Sequence, residues 1–508
     1  MIRDVEGTDV VVNDYPPPSK ASRIFRLARQ IEREPDAIEP RFERASLLRE
    51  QGLFEEAKRD YLELLRRVPT HFGALNDFAT LLLNAGYKSA ARMVFAKAVE
   101  HHPDNPTGHV NLANLLLLSG EPISARRHLE TALAIDPDHV HAHRGMGNLL
   151  AEIGDAAGAR RHRDKGFKSN FLTVLPYRGD GPAISILLLV SAAGGNIPTS
   201  PILDDRHFRT TVLVAEYADP SVPLPPHDLV FNSIGDADLC GEGLDAACAI
   251  VARTSRPVLN HPAAVLKTGR LANAQRLRGI AGVRTPRMVS LPRDLLAGPA
   301  GPAALARHGF AFPMLLRAPG FHTGRHFVRV ETLQELAAAA AVLPAGNVWI
   351  IELFDARGAD GKFRKCRVMI VDGKLYPLHL AISGNWKVHY FRAEMAHSAE
   401  HRREDRAFLD DMTSVLGRRG IAALEGICSA LALDYGGIDF AVSREGEILL
   451  FEANATMVMI PLSNDPKWDY RRPAFDRVFA AIRGMLVDRA ARAAPQRSGI
   501  AADAVSSR

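Results

Sequence analysis

The chain has 508 residues, of which 47% are hydrophobic and 24% charged, the balance of a globular protein of about two to four domains. Its formal net charge of +5 is small for that length, and there is no basic block or aromatic-interleaved stripe, so nucleic acid is not an expected partner. The longest strongly apolar run, AISILLLV at 183–190, is too short to span a bilayer, so no membrane partner is expected either. Cys240, Cys248, Cys366 and Cys428 show no close metal-type pairing, and the opening MIRDVEGTDV lacks a signal-peptide pattern. Both features lead to the expectation of a reducing, cytoplasmic location.

Residues 1–19 read as a flexible N-terminus, followed by a helix at about 20–34 (ASRIFRLARQIERE). Three ladders then run in one register. Proline stands at 35, 69, 103 and 137, glycine at 52, 86, 120 and 154, and alanine at 57, 91, 125 and 159, each with a period of 34. A small residue also recurs as Ala45, Ala79, Ala113 and Gly147, and apolar residues between the ladders fall at helical spacing. The physical reading is a helix–turn–helix unit. Glycine ends the first helix, alanine lets the helices approach, and proline opens the next unit. This pattern resembles the tetratricopeptide repeat family, with four repeats from 35 to 170 in an all-α solenoid domain at 20–172. The large residue usual near each repeat start is Phe72, but Ile38, Pro106 and Val140 elsewhere. Such arrays present a concave face to a protein or peptide partner; packing on the chain's own downstream domain is the alternative. His139 and His143 are four apart and can share a helix face with His141 nearby, but without a third ligand a solvated face is expected.

After a linker at 173–182 the pattern becomes α/β. AISILLLV, TTVLVAEY and DLVFNSI alternate with loops and helical stretches and predict a small parallel-sheet subdomain at 182–260. The loop after its first strand carries Gly194 and Gly195, a placement suited to a substrate pocket. Residues 312–330 (FPMLLRAPGFHTGRHFVRV) read as strand, flexible loop, strand. Arg317 ends the first strand, Gly320 and Gly324 flank the loop, and His322, Thr323 and Arg325 lie in it. Glycines let backbone amides approach phosphate oxygens, and cations balance the charge. Further strands follow at 347–355 and 365–383, the latter with a hairpin turn at Asp372-Gly373. The loop 383–402 mixes Asn385, Trp386, Lys387, His389 and Tyr390 and suits substrate recognition as well as it suits a surface loop over a hinge.

The stretch GGIDFAVSREGEILLFEANATM, 436–457, places Asp439, Glu452 and Asn454 on two adjacent strands around a turn at Gly446. Three hard oxygen ligands suit Mg²⁺; an ordinary hairpin with polar ends is the alternative reading. Taken with the pieces upstream, this succession resembles the ATP-grasp superfamily over residues 183–485, closest to its carboxylate–amine ligases, such as ribosomal-protein glutamate ligases, glutathione synthetases and D-alanine–D-alanine ligases. The stretch 488–508, ending AADAVSSR, reads as a disordered tail. The resemblance implies an ATP-grasp domain at 261–487. It implies ATP and Mg²⁺, with Mn²⁺ as an alternative ion, and Asp439, Glu452 and Asn454 as metal ligands. Arg270 and Arg317 stand where the family has nucleotide-contacting lysines. Gly320, Thr323 and Gly324 fall in the phosphate loop, Glu352 with Leu353 and Phe354 at the hinge beside the adenine, and Arg367 on the strand facing the phosphates. Departures accompany it. Lys365 stands at the usual acidic ribose contact, Gly437 replaces an arginine before the first metal ligand, and Ala455, Thr456 and Met457 replace Ser-Pro-Gly.

The implied reaction activates a carboxylate as an acyl phosphate and passes it to an amine, with Arg367 neutralising charge. Lys387 or His389 is the candidate for binding a carboxylate or handling the amine's proton. Small-molecule or peptide carboxylate and amine substrates are thus expected, together with a partner on the array and a homodimer as family habit. The alternative function is a catalytically impaired nucleotide-binding adaptor that acts through its repeats.

Overall fold

The computed structural model describes residues 20–321, 324–344, 346–388, 393–459, 462–463 and 465–492. The chain divides into two units, residues 1–166 and 167–508. The expected flexible segment 1–19 and residues 493–508 of the expected tail lie outside the described residues.

The first unit is built from helical pairs. Helix α1 (Lys20–Arg33) precedes α2 (Ile38–Glu50) and α3 (Phe54–Arg67), then α4 (Phe72–Asn84) and α5 (Lys88–His101). Helices α6 (Pro106–Leu118) and α7 (Pro122–Ile135), then α8 (Val140–Glu152) and α9 (Ala156–Phe167), complete the series. The glycine ladder explains the turns. Gly52, Gly86, Gly120 and Gly154 all have φ between 77° and 89°, which costs a residue without a Cβ little. The residue after each glycine donates its N–H to the carbonyl five positions back, as Leu53 to Leu48 and Glu121 to Leu116, both at 2.9 Å. This satisfies carbonyls that the helix end leaves open. The small-residue ladders lie between paired helices, where Ala45, Ala79, Ala113, Ala57, Ala91 and Ala125 are fully buried.

In the histidine cluster His141 is exposed as expected, but His143 departs from the solvated face. His139 is the N-cap of α8 and accepts from the Ala142 N–H at 3.2 Å, the same task His71 performs 68 residues earlier for Ala74. His143 is buried. Its Nε2 lies 2.9 Å from the Pro137 carbonyl, and its Nδ1 lies 2.8 Å from Nδ1 of His162. One repeat earlier, His109 makes the same two contacts, to Pro103 at 3.0 Å and to His128 at 3.0 Å. In the first repeat the equivalent position is Arg41, which donates to the Pro35 carbonyl at 2.9 Å and pairs with Asp60 at 3.7 Å. The second repeat holds Leu75 and Val94 at these two positions.

The second unit opens with an edge strand where a linker was expected. Strand β1 (Leu172–Val174) pairs antiparallel with β3 (Phe208–Val214), so the sheet begins ten residues before 182 and the array does not extend to 172. Between them in sequence is β2 (Ile184–Val190); β4 (Leu229–Asn232), α10 (Gly241–Val251) and β5 (Val258–Leu259) follow. The strand order is β1-β3-β2-β4-β5, and β2 to β5 are parallel, as the alternating pattern predicts. Short helices α11 (Pro262–Val265) and α12 (Arg270–Arg276) lead to β6 (Val283–Arg284) and β7 (Met288–Pro292). Then come α13 (Arg293–Ala297), α14 (Gly301–Arg307), β8 (Met314–Arg317), β9 (Phe327–Val330), α15 (Leu333–Ala341) and β10 (Asn347–Glu352). They form an antiparallel sheet of order β7-β10-β8-β9, whose own core includes Leu305, Met314, Leu316, Val330, Leu336 and Ile350.

The third sheet has the order β12-β11-β13-β14-β6 and is antiparallel except for β14 with β6. It contains β11 (Phe363–Val371), β12 (Lys374–Ser383), β13 (Tyr435–Val442) and β14 (Ile448–Asn454), with α16 (Ala399–Asp410) and α17 (Met412–Leu431) between the second and third of these. Asp372 and Gly373 both have positive φ, 49° and 73°, which gives the predicted two-residue turn between β11 and β12. Helix α18 (Arg472–Arg492) continues through residues 488–492, where the sequence leads to the expectation of a disordered tail; Leu486 and Ala490 are buried and hold this end.

Candidate functional site

The turn at Gly446 makes β13 and β14 a hairpin, and a register shift after Asp439 leaves Phe451 as the extra residue. Asp439 therefore lies directly opposite Glu452, and Gly437 opposite Asn454. On the other side of β13, Arg367 lies opposite Asp439, and His379 lies opposite Arg367. Directly opposed residues share a sheet face, so His379, Arg367, Asp439 and Glu452 form a row across four strands. Lys365, two residues from Arg367, falls on the same face.

The row is densely paired. Asp439 Oδ1 accepts from Arg367 Nε at 2.6 Å, and Oδ2 accepts from Arg367 Nη2 at 2.8 Å and Lys365 Nζ at 2.9 Å. Glu452 Oε1 lies 2.6 Å from Arg270 Nη2 and accepts from Asn454 Nδ2 at 2.8 Å. The Asn454 carbonyl turns away, to the Thr456 N–H at 3.0 Å and the Thr456 hydroxyl at 2.8 Å. Burial pushes the Glu452 carboxyl up, but the charges of Arg270 and Arg317 outweigh it and bring it down to about 2. Asp439 follows the same logic: burial raises it, and Arg367 and Lys365 hold it well below the usual carboxylate range. For Arg317 the charges of Glu452, Asp236 and Asp238 do not offset burial. Burial, with the charge of Arg270 beside it, pulls its guanidinium down to about 10. Its Nη2 donates to the Phe321 carbonyl at 2.6 Å, while its buried Nε has no hydrogen-bond partner. A buried cation with an unanswered donor favours an incoming anion.

These side chains border a cavity of about 820 Å³ that also meets Glu352, Leu353 and Phe354. Leu315, Trp349 and Ile351 cluster there with Phe327, Leu353 and Trp386, giving one apolar wall beside the charged floor. Gly320 and Gly324 have φ of 77° and 74°; His322 and Thr323 between them lie outside the described residues. The Glu352 carboxylate accepts from the Arg287 N–H at 2.9 Å and so fixes the end of β10. Lys387, expected to hold a substrate carboxylate or move a proton, instead donates to the Gly324 carbonyl at 3.0 Å and the Phe327 carbonyl at 2.6 Å. These two bonds tie the start of the loop at 383–402 to residues 324–327. His389 lies outside the described residues.

As placed, the Asp439–Glu452–Asn454 set does not fit a divalent ion. Both Asp439 oxygens, Glu452 Oε1 and the Asn454 carbonyl already receive N–H or O–H groups, and three cations crowd the two carboxylates. Among the described residues no group of three or more His, Cys, Asp or Glu side chains is placed to hold a metal. Arg270, Arg317, Lys365 and Arg367 all line the same cavity.

A family model for the tetratricopeptide repeat matches residues 42–106 and 110–162. The N-terminal region carries tetratricopeptide repeats. Among solved structures, MamA 41-end from Desulfovibrio magneticus RS-1 aligns at 19% identity and TM-score 0.27, covering 29% of this chain and 84% of its own. A thermophilic TPR protein of Thermus thermophilus aligns at 19% and 0.27, covering 30% and 83%. YrrB, described as a TPR protein with an unusual peptide-binding site, aligns at 19% and 0.26, covering 28% and 74%. A search of the curated proteins found no match. No helix among the described residues is long and apolar enough to cross a membrane.

Sequence reasoning misses three participants. Lys365 reads as a ribose neighbour but stands on Asp439; its two-residue spacing from Arg367 on a strand is the available signal. His379 is kept neutral by burial and by the charges of Arg367 and Arg471. Asp238 accepts the Arg270 N–H at 2.8 Å, and nothing in its local sequence marks that reach across 32 residues. The structure also accounts for Gly437. A Cβ there meets Met457 Cγ at 2.6 Å and the Val368 carbonyl at 3.0 Å, so the arginine of the ligases has no room. Gly437→Ala is expected to cost about 1–2 kcal/mol in urea unfolding, with part recovered by Met457→Ala in the same chain.

Proposed function

We propose that this protein is an ATP-dependent ligase that joins a carboxylate to an amine, with its tetratricopeptide repeats holding a protein or peptide partner. The observation that carries the reading is the row of charged side chains under an apolar wall in one cavity, at the meeting of two antiparallel sheets. The strand order, the glycine loop and the turn at Glu352 to Phe354 support an ATP-grasp fold for residues 261–487. Leu315, Phe327, Ile351 and Leu353 suit an adenine ring, and Arg270, Arg317, Lys365 and Arg367 suit its phosphates. ATP supplies the terminal phosphoryl group: a carboxylate oxygen bonds to its phosphorus as ADP leaves. The amine nitrogen then bonds to the acyl carbon, inorganic phosphate leaves and the nitrogen loses a proton. The floor cations neutralise charge during both displacements, and the two Lys387 bonds hold the start of the loop at 383–402. The Mg²⁺ or Mn²⁺ of the related ligases does not fit the donor set as placed, and this scheme does not use it. A peptide on the repeats would raise the local concentration of one substrate.

Release of ADP and phosphate tests this, with the full chain, ATP and the small-molecule fraction of a cell extract, in magnesium and in EDTA. Turnover that needs the extract, yields a new amide mass and falls by about 100-fold in Arg317→Met supports the ligase. ATP binding without turnover in any mixture supports the second reading, an adaptor that binds nucleotide without chemistry. The paired state of Asp439 and Glu452 and the glycine at 437 favour that reading.

A further inference from the structure

The cations on Asp439 do more than balance it. Arg367 approaches edge-on with two nitrogens, and Lys365 adds a third contact on the same carboxylate. Side-chain exposures of 4% for Asp439, 18% for Lys365 and 19% for Arg367 show that the contacts are made away from bulk water. Asn454 presents its amide nitrogen, not its oxygen, to Glu452. Across the hairpin, Arg270 covers Glu452 with 14% of its own side chain exposed. With Arg317 facing them, four cations gather around the two carboxylates, and Asp236 and Asp238 also act on Arg270 and Arg317.

We propose that Lys365 and Arg367 occupy the place of a divalent ion at Asp439, so that this pocket binds the triphosphate of a nucleotide without magnesium. This rests on the nucleotide-binding reading above and concerns the same site. A fixed ammonium and guanidinium supply the positive charge that an ion supplies elsewhere, and they are anchored by the same acid that would otherwise ligate it. A divalent ion at Asp439 must displace a buried lysine from its partner, and the displaced ammonium then repels the ion. Arg317, with its unanswered Nε, completes the set on the opposite sheet.

Isothermal titration of the full chain with ATP, in excess magnesium chloride and in excess EDTA, tests this. The expected result is an affinity that agrees between the two conditions within about threefold. Weakening in EDTA by about tenfold or more overturns the inference and leaves nucleotide binding standing. No binding in either condition overturns both. Lys365→Met leaves Asp439 Oδ2 with Arg367 Nη2 alone and removes one of the two cations on this acid, and its ATP affinity is expected to fall about tenfold in EDTA relative to magnesium. A folded Lys365→Met that binds equally in both conditions overturns the assignment of Lys365. Lys365→Arg keeps a cation on Asp439, and a magnesium dependence appearing there would likewise count against it. Matching far-ultraviolet circular dichroism and melting curves establish that each variant is folded.

Discussion

Replacing Asp439 by alanine will destabilise the α/β unit by about 3–5 kcal/mol, the largest effect expected of any single change in the pocket. The loss does not come from the pair's attraction alone. Arg367 and Lys365 are both largely buried, and without Asp439 both remain charged with no acid beside them. Urea unfolding followed by tryptophan fluorescence isolates the effect, because Trp349, Trp386 and Trp468 all lie in the second unit. Lys365→Met with Arg367→Met in the Asp439→Ala background should restore much of the loss, since an apolar replacement of a whole buried ion cluster is close to neutral. A loss below about 1 kcal/mol would mean that the cluster is solvated like a surface pair. Acid acts on the same groups. Carboxylates held below their free value contribute stability that is complete above about pH 4.5. For Glu452 that contribution fades as the pH falls towards about 2.

Acidification will destabilise the repeat array through its paired histidines, and buried His379 gives the α/β unit a loss of the same sign. His128 is held below the free histidine value by burial and then by the charge of His109; His162 is held down by burial and then by His143, with Lys165 and Arg161 adding to it and Asp155 opposing. A histidine that is harder to protonate when folded takes up its proton on unfolding. The stability is therefore full above about pH 6.5 and is lost as the pH falls below it. Far-ultraviolet circular dichroism at pH 8 and pH 5, read against the tryptophan signal, separates the two units. His109→Leu alone is expected to cost about 1–3 kcal/mol, because the Pro103 carbonyl and His128 both lose a partner. His109→Leu with His128→Val copies the pair found at 75 and 94 and should recover most of that loss while flattening the acid response. Equal acid sensitivity in the native chain and in a variant with both histidine pairs replaced would reject the mechanism.

The repeats were legible because a period of 34 is written in residues with one purpose each: glycine for positive φ, alanine for close packing, proline for the next start. The strands of the second unit were legible for a similar reason, since short apolar runs bounded by turn residues leave few alternatives. Partnership across the sheet was not. The metal-ligand reading of Asp439, Glu452 and Asn454 followed from their spacing, which the hairpin reproduces. Which cations answer Asp439 depends on β11 lying against β13, where Arg367 pairs with a residue 72 positions on. The buried state of His143 was not legible because a polar residue on a helix reads as exposed until its partner 19 residues on is known.

The residues at these two positions of each repeat differ along the array: Arg41 with Asp60, Leu75 and Val94, His109 with His128, His143 with His162. Tandem units of equal length invite misassembly, in which a helix docks one unit out of place. Here such a slip at the front would press Arg41 against Val94 and leave Asp60 without its guanidinium, at several kcal/mol. The sequence of pairs therefore acts as a key that fits in one order. Its two final teeth are alike, so the chain can gain or lose a unit at the end of the array with the least penalty.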